Sequence, residues 1–347
     1  MNGVLLAALT LWLVARAFAG SPASGPPAAP GITAGAASGS AAPPPVPTRD
    51  VFLRPRGPHF GLTTAQSPWS PSELDALSRK AGAHPSLLQF FVKWNQDFRP
   101  DAVAMCYHQH ALPLLSWEPW AGARYGESQP AFALRKISTG AYDPYITRFA
   151  TAVRNQRWPV AIRFAHEMNG FWYPWSEGRS GNRPGDFVQA WRHVHDVFGR
   201  VGATNVIWVW SPNIVRPVPR VGLRQLYPGD KYVDWAGMVG YGAGERTAAE
   251  VFDPTIAVLR AFTRKPLLIT ETGAQPGPAK AAWTASLFPW LRQHRDVIGF
   301  TWFELSPAEG ASADWRFTAD PRAEKAFHDG IVQASLAPPV AYHGPGG

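Results

Sequence analysis

Two glutamates stand out, each closing an apolar, β-rich run. The first run reads Val160-Ala-Ile-Arg-Phe-Ala-His-Glu167 and passes at once into Met-Asn-Gly-Phe-Trp-Tyr-Pro-Trp175. The second reads Pro266-Leu-Leu-Ile-Thr-Glu271 and stops at Thr272-Gly273. Paired carboxyl groups delivered by the ends of buried strands are what scission of a glycosidic bond requires. One protonates the leaving oxygen while the other attacks or stabilises the sugar cation. Side chains alternate along a strand, so Arg163, Ala165 and Glu167 share one direction, as do Leu267, Ile269 and Glu271. With that direction inward, Arg163 lies beneath the cleft. His166 alternates away from Glu167 on an ideal strand, a rule that bent strand ends relax.

Other chemistries find less support. The single cysteine, Cys106, excludes an intrachain disulfide, and its apolar neighbours predict a buried thiol. His193 and His195 lie two apart on a predicted helix and so point to different faces. His108 and His110 have the same spacing, and the expectation is a site without metal or cofactor. The formal charge of +8 comes mostly from scattered arginines with no basic stretch interleaved with aromatics, which argues against a nucleic-acid partner. Sixteen tryptophans are many for 347 residues. Trp94, Trp117, Trp120, Trp172, Trp175, Trp210 and Trp302 fall just past or at predicted strand ends, where flat apolar rings suit the CH faces of sugars as well as they suit a core.

These residues need a scaffold that brings separate strand ends together. Candidate strands are 60–62, 87–92, 112–116, 160–165, 206–210, 235–239, 266–270 and 298–302. Amphipathic helical patterns fall between most of them, clearest at 142–154, 185–201, 248–263, 280–292 and 321–332. Eight strands interleaved with helices predict an α/β fold, a (β/α)8 TIM barrel, with the first two βα units faintest. Glu167 then ends the fourth strand and Glu271 the seventh, and both open onto the C-terminal face where such barrels do chemistry. The length fits one catalytic domain, placed at 50–337. Before it, residues 1–19 carry a short apolar stretch ending in Ala17-Phe18-Ala19, read as a cleaved signal peptide, with only the terminal amine as positive charge ahead of it. Residues 20–49 are rich in Ala, Pro, Gly and Ser and read as a disordered linker, and 338–347 as a disordered tail. The expectation is a secreted, extracellular monomer, associated with a cell wall through its arm.

In these residues the chain resembles glycoside hydrolase family 26. The resemblance covers about residues 50–335, and its most specific part is Arg163-Phe-Ala-His166-Glu167-Met-Asn169-Gly170-Phe-Trp172. In the family's order there follow or precede Ser116-Trp117-Glu118-Pro119, Ile137 to Asp143, Trp210-Ser-Pro-Asn213, Tyr227 to Trp235, Ile269-Thr-Glu271-Thr-Gly273 and Trp302-Phe303. The resemblance implies a retaining endo-β-glycosidase acting on a polysaccharide, with Glu167 as acid/base and Glu271 as nucleophile. It places His166 in the substrate cleft, makes Trp172 and Trp302 sugar-stacking residues, and makes Tyr241 the residue that orients the nucleophile. The residues themselves agree: burial against Trp172 favours a protonated acid, and Arg163 favours an ionised nucleophile. Asn213 and Glu118, at other strand ends, are candidate hydroxyl contacts. Glu118 is equally a candidate ion-pair partner for Arg163.

The substrate is less defined. β-1,4-Mannan is the first expectation, with β-1,3/1,4-glucan or xylan on the same site as the alternative. The run Phe171-Trp-Tyr-Pro-Trp-Ser176 departs from the longer tryptophan run of many mannanases. The basic loop Glu177–Pro184 matches no mannan specificity. A non-catalytic glycan-binding protein is a further reading, and so is an enzyme for an acidic exopolysaccharide, which the +8 charge would suit.

Overall fold

The computed structural model describes residues 46–122, 126–215 and 221–341. Eight parallel strands close on themselves in sequence order: β1 (His59–Thr63), β2 (Leu87–Lys93), β3 (Leu112–Glu118), β4 (Val160–Phe164), β5 (Val206–Trp210), β6 (Trp235–Val239), β7 (Leu267–Thr272) and β8 (Val297–Phe303). The ring is sealed by β1 against β8, from His59 opposite Gly299 to Thr63 opposite Phe303. Each strand is an almost unbroken buried run, as expected where helices cover the outer face of a parallel sheet. The (β/α)8 architecture read from the sequence is the fold.

Among the described residues seven helices of nine residues or more follow or bridge the strands: α1 (Pro71–Ala81), α2 (Pro100–His108), α3 (Asp143–Gln156), α4 (Asp186–Val201), α5 (Ala248–Arg260), α6 (Lys280–Gln293) and α7 (Pro321–Val332). Two were not anticipated, α1 and α2, although α1 has clear punctuation. The Ser70 hydroxyl accepts from the Glu73 amide, Pro71 fills the first turn, and Gly82 closes the helix at φ 86°, a conformation that costs glycine little. Between β5 and β6 the described residues form only two short 3-10 turns, Leu223–Leu226 and Asp230–Tyr232. His193 and His195 diverge on α4 as expected. His193 meets Asp143, whereas His195 packs against Trp208 and Tyr232. Cys106 is fully buried, and burial pushes its thiol up.

The expected signal segment and most of the expected linker lie outside the described residues. At the linker's end Arg49 donates to Val206 O and to Asp234 (2.7 and 2.8 Å). The expected tail is held where it is described: the Val340 amide donates to His110 O at 2.7 Å, and Val340 is buried. Its apolar side chain joins the hydrophobic core, a contact that a composition rich in Pro and Gly concealed. Among the described residues no helix is long and apolar enough to cross a membrane.

Candidate active site

β4 places the first glutamate by ending early. The strand proper stops at Phe164, and Ala165 and Glu167 then adopt φ of 44° and 52°, a left-handed backbone that non-glycine residues avoid. The Ala165 amide donates to Trp117 O, and the Glu167 amide to Ser211 O (3.0 and 2.8 Å), which holds the turn from both neighbouring strands. Alternation is thereby broken, and His166 and Glu167 both occupy the barrel mouth. Gly170 lets the chain double back, since a Cβ there would meet the Trp172 ring at 2.6 Å. Trp172 Nε1 consequently reaches Glu167 Oε2 at 3.0 Å. Asn213, just past β5, donates to the other carboxylate oxygen of Glu167. Asn169 locks Asn213 in turn through a reciprocal pair, Nδ2 to Asn213 O at 2.9 Å and Oδ1 from the Asn213 amide at 2.8 Å.

β7 places the second glutamate. Glu271 Oε2 accepts from the Tyr241 hydroxyl at 2.9 Å, and Oε1 accepts from Arg163 Nη1 in a pair shielded from solvent. Arg163 also donates to Ser211 and Ser116 (3.0 and 3.1 Å), and Ser211 meets the Thr270 hydroxyl at 2.6 Å. The Gln89 amide completes this floor. Its nitrogen faces Thr63 Oγ1 and Thr270 O (2.9 and 2.8 Å), and its oxygen takes protons from Ser116 and Arg163 (3.0 and 2.9 Å). Polar residues from β1 to β4 and β7, with Ser211 just past β5, thus converge under the two carboxyls.

The two glutamates differ in environment. Burial, and then repulsion from Glu271, raise the Glu167 carboxyl to about 7, against the lowering effects of the Asn213 bond, Arg163 and the Trp172 bond. Glu271 instead meets a guanidinium and a phenol, both donors, an arrangement that complements an anion. One group is equipped to give a proton near neutral pH and the other to carry negative charge, the division of labour of a carboxyl pair.

Glu118 is buried at the end of β3, and burial raises it to about 7. It does not bond Arg163: Oε2 accepts from Trp120 Nε1 at 3.0 Å, and Oε1 lies 4.0 Å from His166 Nε2. His166 Nε2 meets the Tyr173 hydroxyl at 3.1 Å, and burial pushes its imidazole well below the usual range, into the neutral form. Glu118 Oε1 and His166 Nδ1 make no hydrogen bond within the described protein although both are buried. Such atoms suit the hydroxyls of a bound sugar.

Trp302 does not join the site. It packs between barrel and helices against Phe327, Phe317 and Trp283, because its position on β8 points outward. Its neighbour Phe303 faces Tyr241 instead, and Trp315 lies tilted against the same tyrosine ring with centres 4.6 Å apart. The wider expectation of a sugar-facing tryptophan cluster also contracts. Trp94, Trp117 and Trp210 are core residues, and only Trp172, Trp120 and Trp175 border the glutamates and His166. Gln89, Tyr173 and Trp315 went unassigned in the sequence. A polar residue at an inward register of an apolar strand, the signal that marked Arg163, also marks Gln89.

The buried pair carries a stability prediction. Arg163→Met leaves Glu271 without its cation and is expected to cost about 3–5 kcal/mol. Adding Glu271→Gln should recover part of that, and urea unfolding of the single and double variants measures it. No recovery would mean that Arg163 supports the fold through the serines rather than through Glu271.

Residues 135–295 match the family described as Glycosyl hydrolase family 26. The chain is 31% identical over 284 residues to Endoglucanase H of Acetivibrio thermocellus, covering 78% of this chain and 30% of that protein. It is 26% identical over 170 residues to a mannan endo-1,4-β-mannosidase of Bacillus subtilis, covering 47% of this chain and 44% of that one. The chain therefore spans less than half the length of these curated relatives. Among solved structures, a modular endo-β-1,4-mannanase from Cellulomonas fimi superposes with a TM-score of 0.62 at 16% identity, covering 81% of this chain and 72% of that one. At that identity the likeness concerns the barrel alone.

Proposed function

Because the chain carries a glycosyl hydrolase family 26 region on a (β/α)8 barrel, we propose that it is a retaining endo-β-glycanase with Glu167 as acid/base and Glu271 as nucleophile. The observation that carries this reading is the asymmetry of the pair: one carboxyl raised to about 7 by burial and repulsion, the other held by Arg163 and Tyr241. In the first step a Glu271 oxygen attacks the anomeric carbon as its bond to the leaving oxygen breaks, and the Glu167 proton passes to that oxygen. A glycosyl ester on Glu271 results. Esterification removes the negative charge of Glu271, and with it one of the two forces that raise Glu167. Glu167 is thereby kept ionised, the form the second step needs, and takes a proton from the water that attacks the same carbon and frees Glu271.

β-1,4-Mannan is the first backbone to test. A β-glucan is the second reading, favoured by the match to Endoglucanase H, which is longer and higher in identity than the match to the Bacillus mannosidase. The experiment is reducing-sugar release from galactomannan, glucomannan, mixed-linkage glucan and xylan, with proton NMR of the first product. Release of the β-anomer from one backbone supports the proposal, α-anomer release sinks the retaining mechanism, and silence on all four sinks the glycanase reading. We also propose export, supported by the apolar Val4–Val14 stretch and the Ala17-Phe18-Ala19 site, and a monomeric state. N-terminal sequencing of the protein recovered from its host medium tests the cleavage, and sedimentation tests the state.

The pH profile follows from the raised acid. The first step needs protonated Glu167, so kcat/KM on natural glycan should fall as pH rises through about 7. Glu118 titrates in the same range and His166 stands beside it as a neutral group. Glu118→Gln should therefore keep the alkaline limb, and losing the limb in that variant would transfer it to Glu118.

A further inference from the structure

Among the described residues Trp69 is the one tryptophan left exposed, at 43%. Its flat apolar ring suits the CH face of a sugar. Trp69 stands on the loop between β1 and α1, on the catalytic face, and lines a groove of about 550 Å³ formed by the ends of β1 and β2 and the segment after β8. That volume lies in the range of ligand sites. The groove connects to the carboxyl pair by two routes of contact. Thr63 in its lining meets Gln89, which meets Arg163, the partner of Glu271. Phe91 and Leu305 in its wall pack in one cluster with Tyr241, and Phe91 also lies edge-on to His166 with ring centres 6.0 Å apart.

We infer that this groove is a distal sugar-binding subsite for an uncharged β-linked glycan, with Trp69 as its stacking platform. The inference deepens the glycanase reading and rests on it. The platform is built to stay in place. The Thr64 amide donates to Ser67 Oγ (3.1 Å), Gln109 Nε2 donates to Pro68 O (2.6 Å), and Ser70 caps α1. The Arg99 guanidinium lies 4.8 Å from the indole centre and is itself clamped by Asp101, which fixes the ring plane. The charges lining the groove balance: Lys93 and Arg99 against Asp97 and Glu309. Gln96, Thr64 and Ser67 add hydroxyl and amide partners. A wall so balanced offers a uronate no net attraction and suits neutral sugar hydroxyls. On the loop after β4, Phe171 is 37% exposed beside Trp172, the residue that bonds Glu167, so a second aromatic ring is open near the acid/base carboxyl.

The test compares wild type, Trp69→Ala and Trp69→Phe on hexasaccharides and trisaccharides of β-1,4-mannan and of β-1,3/1,4-glucan. On the backbone that is cleaved, Trp69→Ala should lose about 10-fold in kcat/KM on the hexasaccharide and nothing on the trisaccharide, with Trp69→Phe keeping most of the wild-type rate. Equal effects on both lengths, or none on either, would overturn the subsite. Calorimetric titration of the hexasaccharides into Glu271→Ala, with and without Trp69→Ala, reads the groove without turnover. Weakening of about 10-fold supports it, and unchanged or absent binding overturns it. A hexagalacturonate that binds more tightly than the neutral hexasaccharides would overturn the ligand class. Wild type that cleaves neither backbone sinks the glycanase reading itself, a result distinct from any of these.

Discussion

Glu271→Ala should lose turnover on every glycan, on the order of 10⁴-fold or more, because among the described residues no other carboxyl shares the barrel floor with Arg163 and Tyr241 to form the glycosyl ester. Glu271 is buried and takes two hydrogen bonds from fixed donors, so its removal leaves Arg163 and Tyr241 directed at a small space. That space predicts a rescue. Azide admitted there can attack the anomeric carbon from the same face, and the product should be a glycosyl azide of inverted configuration when the leaving group is an activated phenol. Recovery of that product would separate a dead but folded enzyme from a collapsed one. Residual hydrolysis within ten-fold of wild type would remove Glu271 from its role.

Glu167→Ala should divide substrates by their leaving groups. Natural glycan needs a proton on the departing oxygen, and its hydrolysis should fall by about 10²–10⁴-fold. A dinitrophenyl glycoside needs none at the first step, so the enzyme should release phenol in a burst and then stall as the glycosyl ester. The second step lacks its base, and azide should relieve the stall with retained configuration. The opposite stereochemical outcomes of azide in the two variants identify which carboxyl does which work. Equal losses on glycan and aryl glycoside would remove Glu167 as the acid.

The barrel was legible because its strands are short apolar runs at the spacing of βα units, and both glutamates were legible because polar residues interrupt such runs only where something uses them. Arg163 was legible for the same reason. The geometry that brings the two carboxyls together was not. Glu167 reaches the mouth through positive φ at Ala165 and at itself, and His166 stays beside it, so strict alternation gives a wrong neighbourhood. On β7 the register shifts between Ile269 and Thr272, which lets Thr270 and Glu271 serve one network although they are adjacent in sequence. Trp302 failed for a related reason: one position along β8 decides between mouth and outer layer, and Phe303 took the mouth. Trp69 carried no signal at all, since exposure depends on a loop whose course comes from contacts with Gln109 and Arg99.

The two ends of the described barrel are fastened on the same side. Arg49 grips the chain where β5 and β6 begin, and Val340 pairs with His110 just before β3, while Ala337 donates to Pro58 O ahead of β1. All of these lie at the foot of the strands, with the carboxyls at their heads. The barrel is therefore a one-sided tool with its handle at the back. Coupled to a bead or a fused module through either end, it would present its cleft outward without a spacer, and a polymer as broad as the protein would still have access to the mouth.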